Sequence, residues 1–427
     1  MHLTPEEKDI LAGKQGDVLQ KLTETIVRYG DIFDADRLVP LSHSSHLVTS
    51  FGIPLLKPAY MMTDQLIESG LKSDLPFTAD PRPHADTKKL YNPLVRLAFN
   101  LMFEKQKKYE DQLLKLGLKN ENAYSCTCYH DEVGNIPASG DILAWAESSA
   151  VVYANSVLGA RTNRNSAFIE LFCAILGKAP NFGLLTDEGR MADWVIELKM
   201  DSLPPAQLLG GAIGQTVVED VPYIKGLDAH LGNELTPDVK DYLKDLGAAS
   251  ASNGAVGLFH VGNLTPEAKE QGENLIKPGA KGLTVTYDDL DRIRRSYPVL
   301  WKNKDATPEF CYIGCPHLSY QQLVRWATNI MTALQKLKRK KILVKTALTA
   351  APDVITRFET ENRSLAGSLK QSGVVVSTFC PLANLNNPLL TRKAVLTNSN
   401  KLRTYTRARY FENNEILSYI TTGGPGV

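Results

Sequence analysis

From Phe310 onward, short β-branched runs alternate with helix-length segments, and this alternation constrains the fold more than any other feature of the chain. Phe310 to Ile313 reads as a strand leading to the turn Gly314-Cys315-Pro316-His317, followed by a helix over 319–338. KKILVKTAL is a buried strand, with a helix expected over 353–368. GVVVSTFCP is a further strand ending in a cysteine, and AVLTNSNKLRTY closes the series. Apolar runs without polar alternation are buried on both faces, as parallel strands covered by helices are. The expected fold is therefore α/β, two to three subdomains with mainly parallel sheets flanked by helices. At 427 residues the chain is too long for one compact core. The divisions fall at 1–178 (a helical and substrate-pocket region), 179–304 (a middle α/β subdomain) and 305–427 (a C-terminal α/β subdomain).

Helix signals dominate the first quarter. Pro5 and Glu6 open a helix after Thr4, with Leu11, Val18 and Leu22 on its apolar face. A second long helix is expected from Asn92 to Leu116, where EKQKKYEDQLLK reads as a solvated face. Pro54 to Pro83 reads as irregular, Gly140 to Leu176 as helical and buried, and Asp193 to Met200 as a strand. ASASNGAVGLFHV, rich in Gly and Ser, reads as a loop feeding a short buried strand.

Composition excludes several function classes. Lys+Arg of 48 against Asp+Glu of 47 leaves a net charge of +1, so no global field favours nucleic acid or a membrane surface. The start is a charged amphipathic helix, and no apolar run reaches spanning length. Six cysteines scattered over so long a chain imply reduced thiols and a cytoplasmic setting rather than a disulfide scaffold.

Chemistry concentrates in Ser125 to Arg164, SCTCYHDEVGNIPASGDILAWAESSAVVYANSVLGARTNR. Cys126 and Cys128 precede a small-residue run bracketed by Glu147, Ser148 and Ser149 and by Asn155, Ser156, Arg161, Asn163 and Arg164. An ordinary core helix has no need of thiols, hydroxyls, amides and guanidiniums at its ends; a site for a metal and an anionic substrate does. Cys315 and Cys380 each follow a strand and precede a proline, and ligands in open α/β sheets gather at strand carboxyl ends. Cys173 and Cys311, in apolar runs, read as packing thiols. Cys126 and Cys128 make at most half a zinc site, since no second pair completes it. Thiolate-rich ligation with an open position favours iron or an iron–sulfur cluster. His317 reads as a general base, an orienting residue or a strand-end histidine; His260 reads as a satisfied core histidine. Thr397-Asn398-Ser399-Asn400-Lys401, taken alone, is a helix N-cap followed by a solvated lysine.

ILAGKQG, CTCY with WAESSAVVYANSVLGARTNR, DYLKDLGAASASNGAVGLFHVGNLTPEA, GCPH, the late strand-Cys-Pro and TNSNK follow one another along nearly the whole chain. In them the sequence resembles the catalytic large component of the aconitase X family. That branch of the aconitase superfamily includes the phosphomevalonate dehydratase large subunit and cis-3-hydroxy-L-proline dehydratase. The resemblance implies the core of aconitase without its swivelling domain, and a hydro-lyase holding iron, mononuclear or as an iron–sulfur cluster. It places Cys126, Cys315 and Cys380 on the metal. It places Ser148, Ser149, Asn155, Arg161, Asn163, Arg164 and His46 on the substrate, and makes Ser399, Lys401 and His317 catalytic.

Four positions depart from the family's pattern. Cys128 stands at a proline, Thr378-Phe379 replace Asp-Thr, Gly183-Leu184-Leu185-Thr186 lacks a histidine, and from Leu41 to Ile53 only Ser45 and His46 keep the pattern. The implied reaction is elimination of water from a 3-hydroxy carboxylate, with iron as Lewis acid. Arg161 or Arg164 would clamp the carboxylate, and Ser399, activated by Lys401, would be the base. cis-3-Hydroxy-L-proline is the first substrate to consider and mevalonate 5-phosphate the second, because no cationic phosphate site stands out. A separately encoded small swivelling subunit is the expected partner. A non-catalytic metal-binding paralogue is the alternative of a different class, and the lack of a His-rich ligand set argues against a zinc hydrolase.

Overall fold

The structure is a computed structural model that describes residues 1–49, 57–85 and 90–424. Two small ladders involve strands β1 (Leu38–Pro40), β2 (His46–Leu47), β3 (Thr78–Ala79) and β4 (Lys178–Pro180). In them β1 runs antiparallel to β4, and β2 parallel to β3. Strands β5 (Ala192–Leu198), β6 (Pro222–Lys225), β7 (His260–Val261) and β8 (Ile276–Val285) form a parallel sheet in the order β7-β6-β5-β8. Strands β9 (Phe310–Leu318), β10 (Lys345–Ala350), β11 (Val375–Ser377), β12 (Val395–Thr397) and β13 (Arg409–Tyr410) form a second, also parallel, in the order β11-β10-β9-β12-β13. The fold is thus the α/β arrangement of parallel sheets flanked by helices that the C-terminal alternation called for.

The order of the second sheet matters for function. The chain builds outward from β9 through β10 to β11, then crosses back to place β12 on the other side of β9. Such a reversal opens a crevice beyond the strand carboxyl ends. Every residue of β9 is buried, so this central strand is fixed from both faces.

Several local expectations are corrected. GCPH is not a turn: β9 runs through it to Leu318, and a register shift against β10 between Leu348 and Ala350 absorbs the irregularity. The expected helix from Asn92 to Leu116 is two, Pro93–Met102 and Gln106–Leu116, the first ending at a Phe103 cap. The helix over 353–368 is likewise two, Pro352–Glu361 and Arg363–Ser372, broken at Asn362. Val18 and Leu22 lie on Asp17–Ile32, separate from the capped Pro5–Leu11. The stretch from Pro54 to Pro83 carries the helix Lys57–Glu68, while its first three residues fall outside the described ones. Gly140 to Leu176 is helical only in about half its length: the helix Ser148–Tyr153 passes into a π-turn, Ala154–Leu158, and the next helix begins at Ile169.

Ala249 to Asn253 is the end of the helix Pro237–Asn253 rather than a loop. Its small residues serve close packing. Against it lies Ala206–Val217, where a Cβ on Gly210 would stand 2.2 Å from the Leu246 carbonyl oxygen and one on Gly214 2.5 Å from that of Ser250. Composition that reads as loop when isolated becomes the contact surface of two touching helices. No helix among the described residues is long and apolar enough to cross a membrane.

Candidate active site

The crevice beyond β9 and β12 holds a small cavity lined by Cys126, Cys315, Cys380, Asp80, Glu147, His317 and Lys401, among others. Each arrives by its own route. Gly314 has φ +109° and lies so near β10 that a Cβ would meet the Thr349 carbonyl oxygen at 2.3 Å, so only glycine fits the kink before Cys315. Cys380 caps the short helix Pro381–Leu385, and its amide donates to the Arg82 carbonyl at 2.7 Å. Cys126 accepts the His317 amide at 3.3 Å, tying the N-terminal region to the end of β9. Glu147 caps Ser148–Tyr153, and Lys401 sits in Asn400–Tyr405, just past β12.

Electrostatics divides these groups in two. Burial raises all three thiols: Cys126 well above its ordinary value, Cys315 up to about 11 and Cys380 up to about 12. Left alone they stay protonated, so the trio becomes a set of anionic ligands only with a cation present. Glu147 and Lys401 are already charged. Burial opposes both charges, but their mutual attraction prevails, holding the carboxyl below and the ammonium above its ordinary range. Lys401 Nζ donates to Glu147 Oε1 and, at 3.2 Å, to Ser149 Oγ; Glu147 Oε2 accepts from Ser149 Oγ at 2.6 Å and the Ala150 amide at 2.7 Å. Both carboxylate oxygens of Glu147 and the ammonium of Lys401 are thus hydrogen-bonded.

Burial pushes His317 down to about 4, leaving the ring neutral. Its Nε2 faces the Phe379 carbonyl at 3.3 Å, which can only accept, so Nε2 carries the proton and Nδ1 takes the Ser125 hydroxyl at 3.1 Å. Ser399 has two tasks. Its hydroxyl donates to the Cys315 carbonyl and accepts the Leu402 amide at 3.0 Å. The expected Ser399–Lys401 partnership is therefore corrected, because Lys401 turns to Glu147.

Other candidates lie off this cavity. His46 is fully buried, bonded through Nδ1 to Thr78 Oγ1 at 2.8 Å, with Nε2 3.6 Å from Asp80; it meets the cavity only through that carboxylate. Ser148 opens its helix without lining the space. Asn155 bonds the Gly257 and Thr162 carbonyls and receives Arg190, which forks onto Glu267 at 2.7 and 2.8 Å. Arg161, a candidate clamp, is engaged with Asp187 at 2.5 Å and the Leu185 carbonyl at 3.1 Å. Asn163 holds the Phe182 carbonyl and the Leu184 amide. Arg164, half-buried, makes no side-chain hydrogen bond or ion pair among the described residues. Cys128 is fully buried in the main apolar core and does not line the cavity. His260 behaves as a core histidine, bonded at 2.8 Å to the Arg190 carbonyl.

Two wall residues were not assigned from sequence. Asp80 gave no local signal, lying in a stretch that reads as irregular. Glu147 did give one: a carboxylate immediately before a helix start is an N-cap, with its oxygens turned toward the helix end.

Residues 1–188 match the first domain of aconitase X, and residues 192–295 its second domain. The chain belongs to the aconitase X family. It is 34% identical to the phosphomevalonate dehydratase large subunit of Thermococcus kodakarensis over 359 residues, 82% of this chain and 81% of that one. With the Methanosarcina mazei protein of the same name it shares 31% over 418 residues, 95% and 92% of the two chains. Against the cis-3-hydroxy-L-proline dehydratase of Pseudomonas aeruginosa it is 30% identical over 286 residues, 66% of this chain and 47% of that protein. The crystal structure of Thermococcus kodakaraensis aconitase X (holo-form) superposes with a TM-score of 0.81 at 29% identity, covering 100% of both chains. As a member of this aconitase X family of dehydratases, the chain is a hydro-lyase.

The family implies iron. Among the described residues no three His, Cys, Asp or Glu side chains converge closely enough to hold a single ion. Cys126, Cys315 and Cys380 nevertheless border one cavity. Their soft thiols fit iron in chemistry.

Proposed function

We propose that this aconitase X member eliminates water from a 3-hydroxy carboxylate in the cavity bordered by Cys126, Cys315 and Cys380. The observation that carries the reading is the buried Glu147–Lys401 pair facing the same space as the three thiols. Iron, if held by those cysteines, would supply a Lewis acid for the departing hydroxyl. Glu147, ionised and anchored by Lys401, Ser149 and Ala150, is the better proton acceptor than Ser399, whose hydroxyl is committed to Cys315 and Leu402. Lys401 steadies the negative charge that builds as the α-proton leaves. His317, neutral, holds Cys126 through its amide and Phe379 through its ring. Arg161 is engaged with Asp187 and Arg164 does not line this cavity, so neither arginine is assigned as the carboxylate clamp.

Two substrates remain in play, each with an observation behind it. The long matches to phosphomevalonate dehydratase large subunits support mevalonate 5-phosphate. The cavity's charge supports cis-3-hydroxy-L-proline: its lining lysine is neutralised by Glu147, leaving no lining Lys or Arg for a phosphate among the described residues. The name large subunit in the relatives supports a separate small subunit as partner. Incubating the iron-loaded chain with each compound, with and without a small subunit, and following loss of water decides the matter. Turnover of neither compound under any of these conditions contradicts the reading.

A further inference from the structure

A second cavity, of about 390 Å³, lies between the helix Tyr287–Ser296, the residues that follow it, Arg403, and the end of β13. It shares no lining residue with the thiol cavity. Its size is in the range of small-molecule sites, roughly 300–1,000 Å³. Arg403 follows Lys401 by two positions on one helix, and residues so spaced point to different sides. The two cavities thus flank a single short helix.

The lining is rich in guanidinium and aromatic groups. Arg294 is neutralised by Glu412 at 2.7 Å and by both oxygens of Glu415 at 2.6 and 2.7 Å. Among the described residues no carboxylate pairs with Arg403 or Arg409. Arg403 is half-buried and stacked 3.9 Å from the centre of the Tyr297 ring; its hydrogen bonds go to the neutral side chains of Asn400, Asn253 and Thr404. Those bonds occupy Nε and Nη2 and leave Nη1 with both protons unused. Arg409, also half-buried, lies 5.1 Å over Phe411 and 5.7 Å over Trp301, with no side-chain hydrogen bond or ion pair among the described residues. The cavity's one lining carboxylate, Asp291, pairs with Arg295 at 3.5 Å, so Arg403 and Arg409 remain two partly desolvated cations beside rings with no carboxylate of their own among the described residues, which is costly unless an anion completes them. Planar donor forks suit the oxygens of a phosphoryl group, and the rings fix the forks in advance.

We propose that this cavity is a second ligand site, taking a phosphate- or diphosphate-bearing small molecule between Arg403 and Arg409. The site is independent of the dehydratase reading, since binding to it is measured without turnover. It also has a route to the chemistry: Asn400, which accepts Arg403 Nε at 2.6 Å and donates to the Tyr297 hydroxyl at 2.7 Å, stands next to Lys401.

Calorimetric titration of the full chain with inorganic pyrophosphate, ADP and adenosine tests the proposal. Pyrophosphate and ADP should bind and adenosine should not. Arg409→Gln and Arg403→Gln should each weaken binding about tenfold or more. Arg409→Gln removes only ring contacts, so it decides the question if Arg403→Gln fails to fold. Binding undiminished in Arg409→Gln would place the anion elsewhere, in the thiol cavity for example, and overturn the proposal. So would the absence of binding, or adenosine binding as tightly as ADP.

Discussion

Burying Lys401 beside Glu147 removes two charges from water, and each offsets the other's loss only because Ser149 and Ala150 complete the hydrogen bonding. Replacing one partner strands the other. Lys401→Met and Glu147→Gln should each lose about 3–5 kcal/mol in denaturant unfolding. The double variant should recover part of that stability and no dehydration. For Glu147, whose folded pKa is depressed, the stabilisation is present above the ordinary 4.5 and is lost as pH falls through the lowered value. For Lys401, whose folded pKa is raised, it is present below the ordinary 10.5 and is lost only above it, as pH rises through the raised value. The advantage of the native chain over the double variant should therefore stay level from about pH 5 to about pH 10; a slope inside that window would refute the pairing.

Glu170 behaves in the opposite way. Burial pushes its carboxyl up to about 8, with the Val48 amide only partly compensating. The folded chain then keeps a proton that the unfolded chain sheds above 4.5, so stability falls as pH rises between those values. Glu170→Gln should match the native protein near pH 4 and exceed it by a few kcal/mol near pH 8, by order of magnitude, in melts at the two pH values.

At the scale of elements, glycine marks where backbones touch. Gly→Ala in an exposed helix gains about 1 kcal/mol. At Gly210 the new methyl would stand 2.2 Å from the Leu246 carbonyl oxygen and 2.8 Å from the Ala249 methyl, so Gly210→Ala should instead lose about 1–3 kcal/mol in thermal unfolding. Gly314→Ala is different in kind. It forces the end of β9 off β10 beside Cys315, so activity should fall further than stability does. Element identity was legible where periodicity and caps agree, as in Thr4 before Pro5 or the β-branched runs of β9 to β12. It was not legible at the breaks after Met102 and at Asn362, which no Gly or Pro announces. There packing against neighbours, rather than local propensity, sets where the helix stops.

At the scale of the whole molecule, the thiols come from the N-terminal region, from β9 and from beyond β11, so the site exists only when these parts are assembled. Cys315→Ser should lose iron and dehydration together, measured by metal analysis of anaerobically prepared protein. Cys311→Ala, its sulfur buried in the core on the same strand, should keep its iron. An iron-free and fully active Cys315→Ser protein would end the assignment of that cysteine.

The sequence by itself determined the α/β class, the family and that Cys315 and Cys380 share a strand-end setting, because strand patterning and Cys-Pro junctions are local; Cys126 joined them only through the resemblance. Only the tertiary structure decided which charges meet. Glu147 and Lys401 are far apart in the chain, as are Arg161 and Glu267, and no spacing rule couples them. A side chain's partner is set by the crossover that returns β12 beside β9, and that is a property of the folded sheet.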